Sequence, residues 1–285
     1  MRDPLRSYLA LQRDLGGEEV LFDAPVEVPA ARVTTALRRP TTLAGPAAAA
    51  ARTPVAVAAV APVRHTVAAP VADENATGWR KGAPPIPGPG LSVTGPASPH
   101  DWATLAEVAA VIAECTKCPL CNGRTNTVPG EGAPAARLML IGEGPGETED
   151  LTGRPFVGRA GDLLDKILAS IETPRPTVFI ANVVKCRPPR NRVPLPDERA
   201  ACLPYLHRQI ALVRPKVLLA LGSTAAEAML GVKKPLGELR LKVHEWNGIP
   251  LIVTYHPAAL LRNPNWKRPA WDDVRIARQL LDIND

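Results

Sequence analysis

Apolar and polar positions are patterned in only part of the 285-residue chain. Residues 23–100 hold no sustained period of 2 or 3.6, whereas from about residue 101 the text becomes periodic. Trp102, Leu105, Val108 and Ile112 are spaced for one face of a helix that runs into Cys115. Leu138-Met139-Leu140-Ile141 is a short apolar run ending in Gly142, which predicts a strand buried on both faces. Residues 158–171 read as an amphipathic helix, and Val178 to Val184 as a second strand. After a Pro/Arg loop come a helix over about 197–213 and a third strand from Lys216 to Leu221, closed by Gly222. Ser223 is then expected to cap a short helix. Leu241 to Tyr255 predicts a hairpin turning at Asn247-Gly248, its second arm ending at His256. A last helix covers roughly 270–282.

Strands alternating with helices predict an α/β fold, a three-layer α/β/α sandwich around a short, mostly parallel sheet. Such sheets carry their sites at the carboxyl ends of the strands. Three polar landmarks fall there: the Gly142-Glu143-Gly144-Pro145-Gly146 loop, Asn182 and His256.

Composition separates this part from what precedes it. Thirty-two prolines against three phenylalanines, three tyrosines and five tryptophans suit no continuous core. Thirteen of those prolines lie in 23–100, among alanines and valines that bury too little area to offset chain entropy. The reading is therefore a short N-terminal helix over 1–22 (Leu5, Leu9 and Leu15 on one side), a disordered Pro/Ala-rich linker over 23–100, and a folded domain over 101–285. Glu18-Glu19-Val20-Leu21-Phe22 faintly resembles short peptides that dock on a replication clamp. The formal charge of +6 suits a polyanionic partner without proving one. No run of eighteen apolar residues and no apolar leader are present, so neither a membrane partner nor secretion is expected. A cytoplasmic monomer is expected, and disulfides are rare in that compartment.

The five cysteines then need another role. Cys115, Cys118 and Cys121 are each two residues apart, and Cys186 and Cys202 follow at a distance. A Cys-x-x-Cys turn aims two thiolates at one metal centre, and distant cysteines complete four-fold coordination. Four ligands are wanted, and three crowded into seven residues would leave only one of the distant pair in use, so Cys186 and Cys202 are favoured over Cys121. Spacing does not separate zinc from an iron–sulfur cluster.

Five segments occur in order: Cys115-Thr-Lys-Cys118, Gly142-Glu-Gly-Pro-Gly-Glu-Thr-Glu-Asp150, Thr152-Gly-Arg-Pro-Phe-Val-Gly-Arg-Ala-Gly161, Asn182-Val-Val-Lys-Cys-Arg-Pro-Pro-Arg-Asn-Arg192 and His256-Pro-Ala258. Together they resemble the family 4 uracil-DNA glycosylases over roughly residues 103–282. The resemblance implies a DNA repair enzyme that hydrolyses the bond between uracil and deoxyribose, leaving an abasic site for base excision repair. It also implies a structural [4Fe–4S] cluster, zinc being the less favoured metal, on Cys115, Cys118, Cys186 and Cys202. Cys121 is left as a spare thiol. The partner would be uracil-containing DNA, single- or double-stranded.

Such an enzyme must extract a base, hold it and stabilise two developing charges. Phe156 is expected to stack on the flipped uracil. Asn182 offers an acceptor and donors matching the N3–H and O4 edge of uracil, a pattern that cytosine reverses. His256 would donate to O2 as negative charge builds there. The Gly142–Gly146 loop allows close backbone approach. In the better-known uracil glycosylases an aspartate at its third position activates water; here that position is Gly144, a departure shared with family 4. Glu143, Glu149 and Asp150 are the candidates left, with Glu143 also shaping the pocket. Leu260 or Leu261 would fill the gap behind the flipped base while Arg262 meets a phosphate. Lys185, Arg187, Arg190 and Arg192 form a basic patch suited to phosphates.

Two rivals weigh less. A dinucleotide site wants a helix opening directly after Gly146, where Glu147 to Val157 is expected to intervene. A related group stays covalently joined to uracil-DNA through a histidine in a basic loop; here the loop after the second strand, Arg187 to Pro194, has none.

Overall fold

A computed structural model of the protein describes residues 78–284. The expected N-terminal helix, the Glu18–Phe22 peptide and the linker as far as residue 77 lie outside the described residues. In chain order the elements are β1 (Pro89–Val93), α1 (Leu105–Ala113), β2 (Glu131–Gly132), β3 (Leu138–Gly142), α2 (Glu147–Thr152), α3 (Arg159–Ser170), β4 (Phe179–Asn182), α4 (Pro196–Val213), β5 (Val217–Leu221), α5 (Ser223–Leu230), α6 (Leu236–Leu239), β6 (Val243–Trp246), β7 (Ile249–Thr254), α7 (Pro257–Arg262) and α8 (Lys267–Ile283). Short 3-10 turns punctuate them.

The strands form one sheet in the order β1-β6-β7-β5-β3-β4-β2. The pairs β1–β6, β7–β5, β5–β3 and β3–β4 are parallel, while β6–β7 and β4–β2 are antiparallel. The central strands are apolar throughout because helices cover both faces. Met139, Ile141, Leu218, Ala220, Leu251 and Val253 face a core shared with α1, α4 and α5. Their alternates Leu138, Leu140, Val217, Leu219 and Ile252 face a second core with α3 and α8. The expected three-layer α/β/α architecture is thus the observed one. Among the described residues no helix is long and apolar enough to cross a membrane.

Four local expectations need correction. The linker does not run to residue 100: residues 89–93 add a strand beside β6, and Trp79 is buried at 2% exposure in the second core. Prolines hid this strand, but Pro89 opens it at the sheet edge, where a missing N–H costs nothing. Gly222, at φ 90°, is the N-cap of α5 and Ser223 its first residue. The second strand stops at Asn182, three residues from the start of the Lys185-Cys186 turn. Finally, α2 opens directly after Gly146, so the dinucleotide reading fails for another reason: the Glu149 carboxylate already accepts from Gly146 N–H at 3.1 Å, where an anion would bind.

Candidate active site and cysteine cage

The parallel strands β3, β4, β5 and β7 all end at one rim of the sheet, in Gly142, Asn182, Leu221 and Thr254. Gly142 and Asn182 are register partners, and the pairing continues beyond the strands through Val183 N–H to Gly142 O (2.9 Å) and Val184 N–H to Glu143 O (3.2 Å). A Cβ on Gly142 would stand 2.3 Å from Asn182 Oδ1 and 2.7 Å from Phe156 Cζ. Only glycine lets the amide and the ring come this close to the strand. Asn182 is 2% exposed, and its Oδ1 meets no hydrogen-bond partner among the described residues. An orphaned buried acceptor is costly and rare, and it marks a position that a ligand donor can complete.

Phe156 brings the second landmark into contact with the third. Its ring lies 5.3 Å from the His256 imidazole, centroid to centroid. Its backbone is left-handed (φ 51°), a strained setting that its neighbours hold. Arg175 donates to Phe156 O at 3.0 Å, and a Cβ on Gly161 would collide with that same carbonyl at 1.9 Å. Glu149 Oε1 accepts from the next two amides, Val157 (2.9 Å) and Gly158 (3.0 Å). Arg175 and Glu149 are therefore the clamps of the stacking loop. Arg175 carried no sequence signal: besides the Phe156 and Pro155 carbonyls it meets Asp165 and Glu131, which only the fold brings to it.

His256 caps α7, its Nδ1 accepting from Ala258 N–H at 3.2 Å. That bond puts the proton of the neutral ring on Nε2, leaving a donor. Burial, followed by the charge of Arg262, pushes the imidazole down to about 4, with Glu149 opposing. The ring is neutral at physiological pH.

The carboxylate candidates separate cleanly. Glu149 is the clamp just described. Asp150 is buried and accepts from Thr125 N–H through both oxygens, at 2.9 and 3.1 Å. Glu143 is partly exposed at the rim, and its carboxylate is not engaged by backbone amides among the described residues; Thr224 Oγ1 donates to its Oε2 at 2.5 Å. Gly144 is pinned differently: a Cβ there would meet Val184 Cγ2 at 2.7 Å.

Two further expectations change. Leu260 is buried at 1% exposure and is a packing residue, whereas Leu261 is half-buried and Arg262 exposed. Helix periodicity turns adjacent residues to different faces, which the pair Leu-Leu alone did not resolve. The basic patch dissolves as well. Lys185 is buried, Arg192 is engaged by Glu198 at 2.6 Å and Arg187 donates to Asn191 at 2.8 Å, leaving Arg190 exposed at the loop tip.

Cys115, Cys118, Cys186 and Cys202 line one cavity, together with Cys121, Ile112, Lys185 and Tyr205. All five cysteines are unpaired thiols. Arg124 donates to Cys186 Sγ at 3.3 Å and to Cys115 O at 2.7 Å, closing the cage from outside. The Tyr205 hydroxyl is buried without a hydrogen-bond partner of good geometry among the described residues, with Cys115 beside it. Cys121 is partly exposed, its Sγ 3.4 Å from Asn122 Oδ1. Burial pushes the Cys202 thiol up to about 12 and the Lys185 ammonium down to about 8, each opposing the other's shift. Five cysteines around one cavity, an orphaned hydroxyl at its wall and cations on two sides have the chemistry for a thiolate-bound centre, although among the described residues no three such side chains already stand in a geometry that holds a metal ion.

The α/β/α fold and this rim define the class of protein, and a family model agrees with it. The model described as the uracil DNA glycosylase superfamily matches residues 129–275, more than half of the chain, and the chain belongs to that superfamily. Its particular place is among the type-4 enzymes. It is 45% identical over 178 residues to a type-4 uracil-DNA glycosylase of Thermotoga maritima, covering 61% of this chain and 93% of that protein. To the type-4 enzyme of Sulfurisphaera tokodaii it is 44% identical over 186 residues, covering 62% and 84%. A type-5 uracil-DNA glycosylase of Thermus thermophilus is 34% identical over 149 residues, covering 45% and 68%.

Proposed function

We propose that the chain is a uracil-DNA glycosylase of the type-4 group, hydrolysing the N-glycosidic bond of deoxyuridine in DNA. The observation that carries the reading is the orphaned Asn182 Oδ1 against the bare Cα of Gly142. A uracil edge placed there gives N3–H to Oδ1 and takes a hydrogen bond from Nδ2 at O4. Cytosine presents an acceptor at position 3 and donors at position 4, so both contacts fail. Phe156 stacks on the base, and Leu261 fills the space it leaves while Arg262 meets a phosphate.

In the reaction the bond between C1′ and N1 breaks and its electron pair leaves with uracil. His256 Nε2–H donates to O2, where the negative charge gathers, without a proton having to be supplied from solution. Glu143 orients a water molecule toward C1′ and takes its proton as the new C–O bond forms. Thr224 fixes the rotamer of that carboxylate.

Cys115, Cys118, Cys186 and Cys202 would hold a [4Fe–4S] cluster. When bound, it supplies a cross-link between the segment after α1, the turn after β4 and α4. Finding iron and acid-labile sulfide at about four atoms each per chain would support this, and finding one zinc per chain would contradict it. The reading further has the enzyme act as a cytoplasmic monomer, with Glu18–Phe22 as a peptide for a replication clamp. A mass shift on gel filtration with clamp, lost on deleting residues 18–22, tests that part.

The excision test uses single- and double-stranded oligonucleotides carrying uracil, hypoxanthine or thymine, followed by alkali. Strand breaks at uracil alone are expected. Breaks at thymine, or none at uracil, contradict the assignment, and a band shift that survives detergent would mark a covalent trap in place of turnover.

A further inference from the structure

The cysteine cage and the uracil-reading rim share one side chain. Lys185 is 1% exposed, and its Nζ donates to Asn182 O at 2.8 Å and to Gln209 Oε1 at 2.7 Å. Gln209, itself buried in α4, donates in turn to Pro129 O at 2.6 Å. The Lys185 carbonyl accepts from Val128 N–H at 2.8 Å. On its other side the same lysine lines the cage with Cys118, Cys186 and Cys202. Its backbone N–H and its ammonium both face Cys202. A buried ammonium without a counter-charge is costly, and among the described residues no carboxylate meets it. With the cage loaded, its thiolates would be the negative charge facing the ammonium.

We propose that Lys185 is a positioning residue through which the loaded cage fixes the end of β4, and with it the Asn182 amide against uracil. The inference rests on the cluster and on the uracil reading given above. Asn182 is the last residue of β4, and its carbonyl lies beyond the register pair with Gly142. The Val183 and Val184 amides hold this stretch from the β3 side, and at the Asn182 carbonyl itself the donor is the Lys185 ammonium. Lys185 anchors it, Gln209 anchors Lys185 to α4, and the cage thiolates retain the cation. A role confined to packing would serve equally well with a methionine of similar length. A positioning role would not.

The test compares wild type, Lys185→Met and Gln209→Leu, each as full chain with cluster content measured. The readouts are the cluster midpoint potential and the separate kcat and KM for a single-stranded uracil oligonucleotide. For Lys185→Met we expect kcat to fall about ten- to hundredfold with KM within about threefold of wild type. The potential should move negative, since a cation that favoured the more negative reduced cluster has gone. If Lys185→Met does not fold or load, Gln209→Leu carries the test: full cluster content with a lowered kcat supports the proposal. Wild-type kcat in a loaded variant of either kind, or an unshifted potential in Lys185→Met, overturns it. A wild-type protein that releases no uracil defeats the functional reading instead, and the potential still reports on the contact between Lys185 and the cage.

Discussion

Gly142 and Asn182 are paired across β3 and β4, and the space where glycine lacks a Cβ lies 2.3 Å from the asparagine Oδ1. The close approach of the recognising amide and of the Phe156 ring thus depends on one register pair. Gly142→Ala is expected to fold, because its backbone is not left-handed. The new methyl would push on Asn182 and Phe156 together. A displacement of this size costs about a hundredfold in rate. Single-turnover excision beside a melting curve checks this; near-native rates would mean that the base does not sit on Gly142.

Glu143, in the loop after β3, and Glu149, in the first turn of α2, are expected to fail differently. Glu149→Ala removes the acceptor of the Gly146, Val157 and Gly158 amides. These amides are partly buried, so losing their common acceptor costs up to about 1–3 kcal/mol each, and the melting temperature falls along with activity. Glu143→Gln should melt like wild type yet lose about 10²–10⁴ in kcat at nearly unchanged KM. Calorimetry and steady-state kinetics on the two variants separate a clamp from a water-orienting base.

The depressed pKa of His256 has a sign that can be followed. The unfolded chain takes up a proton at this site near 6.5, the folded chain only near 4. Stability from this site is complete above 6.5 and is lost as pH falls toward 4. The melting temperature of wild type should therefore drop more steeply on acidification than that of His256→Gln. Excision should show no His256 inflection between about pH 5 and 8. A kcat step near 6.5 that His256→Gln abolishes would show the ring to be protonated during turnover.

Residues 78–100 are expected to behave as part of the fold. Trp79 is buried between the Arg80 and Arg278 guanidinium groups, and Leu91 N–H donates to His244 Nδ1 at 3.0 Å. Deleting 1–77 should leave the melting temperature unchanged. Deleting 1–99 should destabilise by at least the roughly 3–5 kcal/mol typical of losing one buried tryptophan. Equal melting temperatures for the two truncations would show the added strand to be dispensable.

The sequence made the strands and the rim legible for a simple reason: runs such as Leu138–Ile141 and Val217–Leu221 need both faces covered, and parallel strands put their ends together. Gly142, Asn182 and His256 were readable because each stands where such a strand stops. β1 was not, since in Pro-Gly-Leu-Ser-Val the alternation is only two apolar residues long, Leu91 and Val93, among prolines and glycines that read as linker. Leu260 against Leu261 turned on which face of a six-residue helix meets the core. Arg175 and Lys185 were invisible as anchors because each reaches a main-chain carbonyl at the site together with side chains that only the fold brings to it.

The most direct measurement is a crystal structure of the protein with free uracil. The expected result has Asn182 within about 2.7–3.2 Å of both N3 and O4, Phe156 flat on the ring and His256 Nε2 on O2. Uracil bound elsewhere, or bound at this rim with the Asn182 amide turned away from it, would contradict the account.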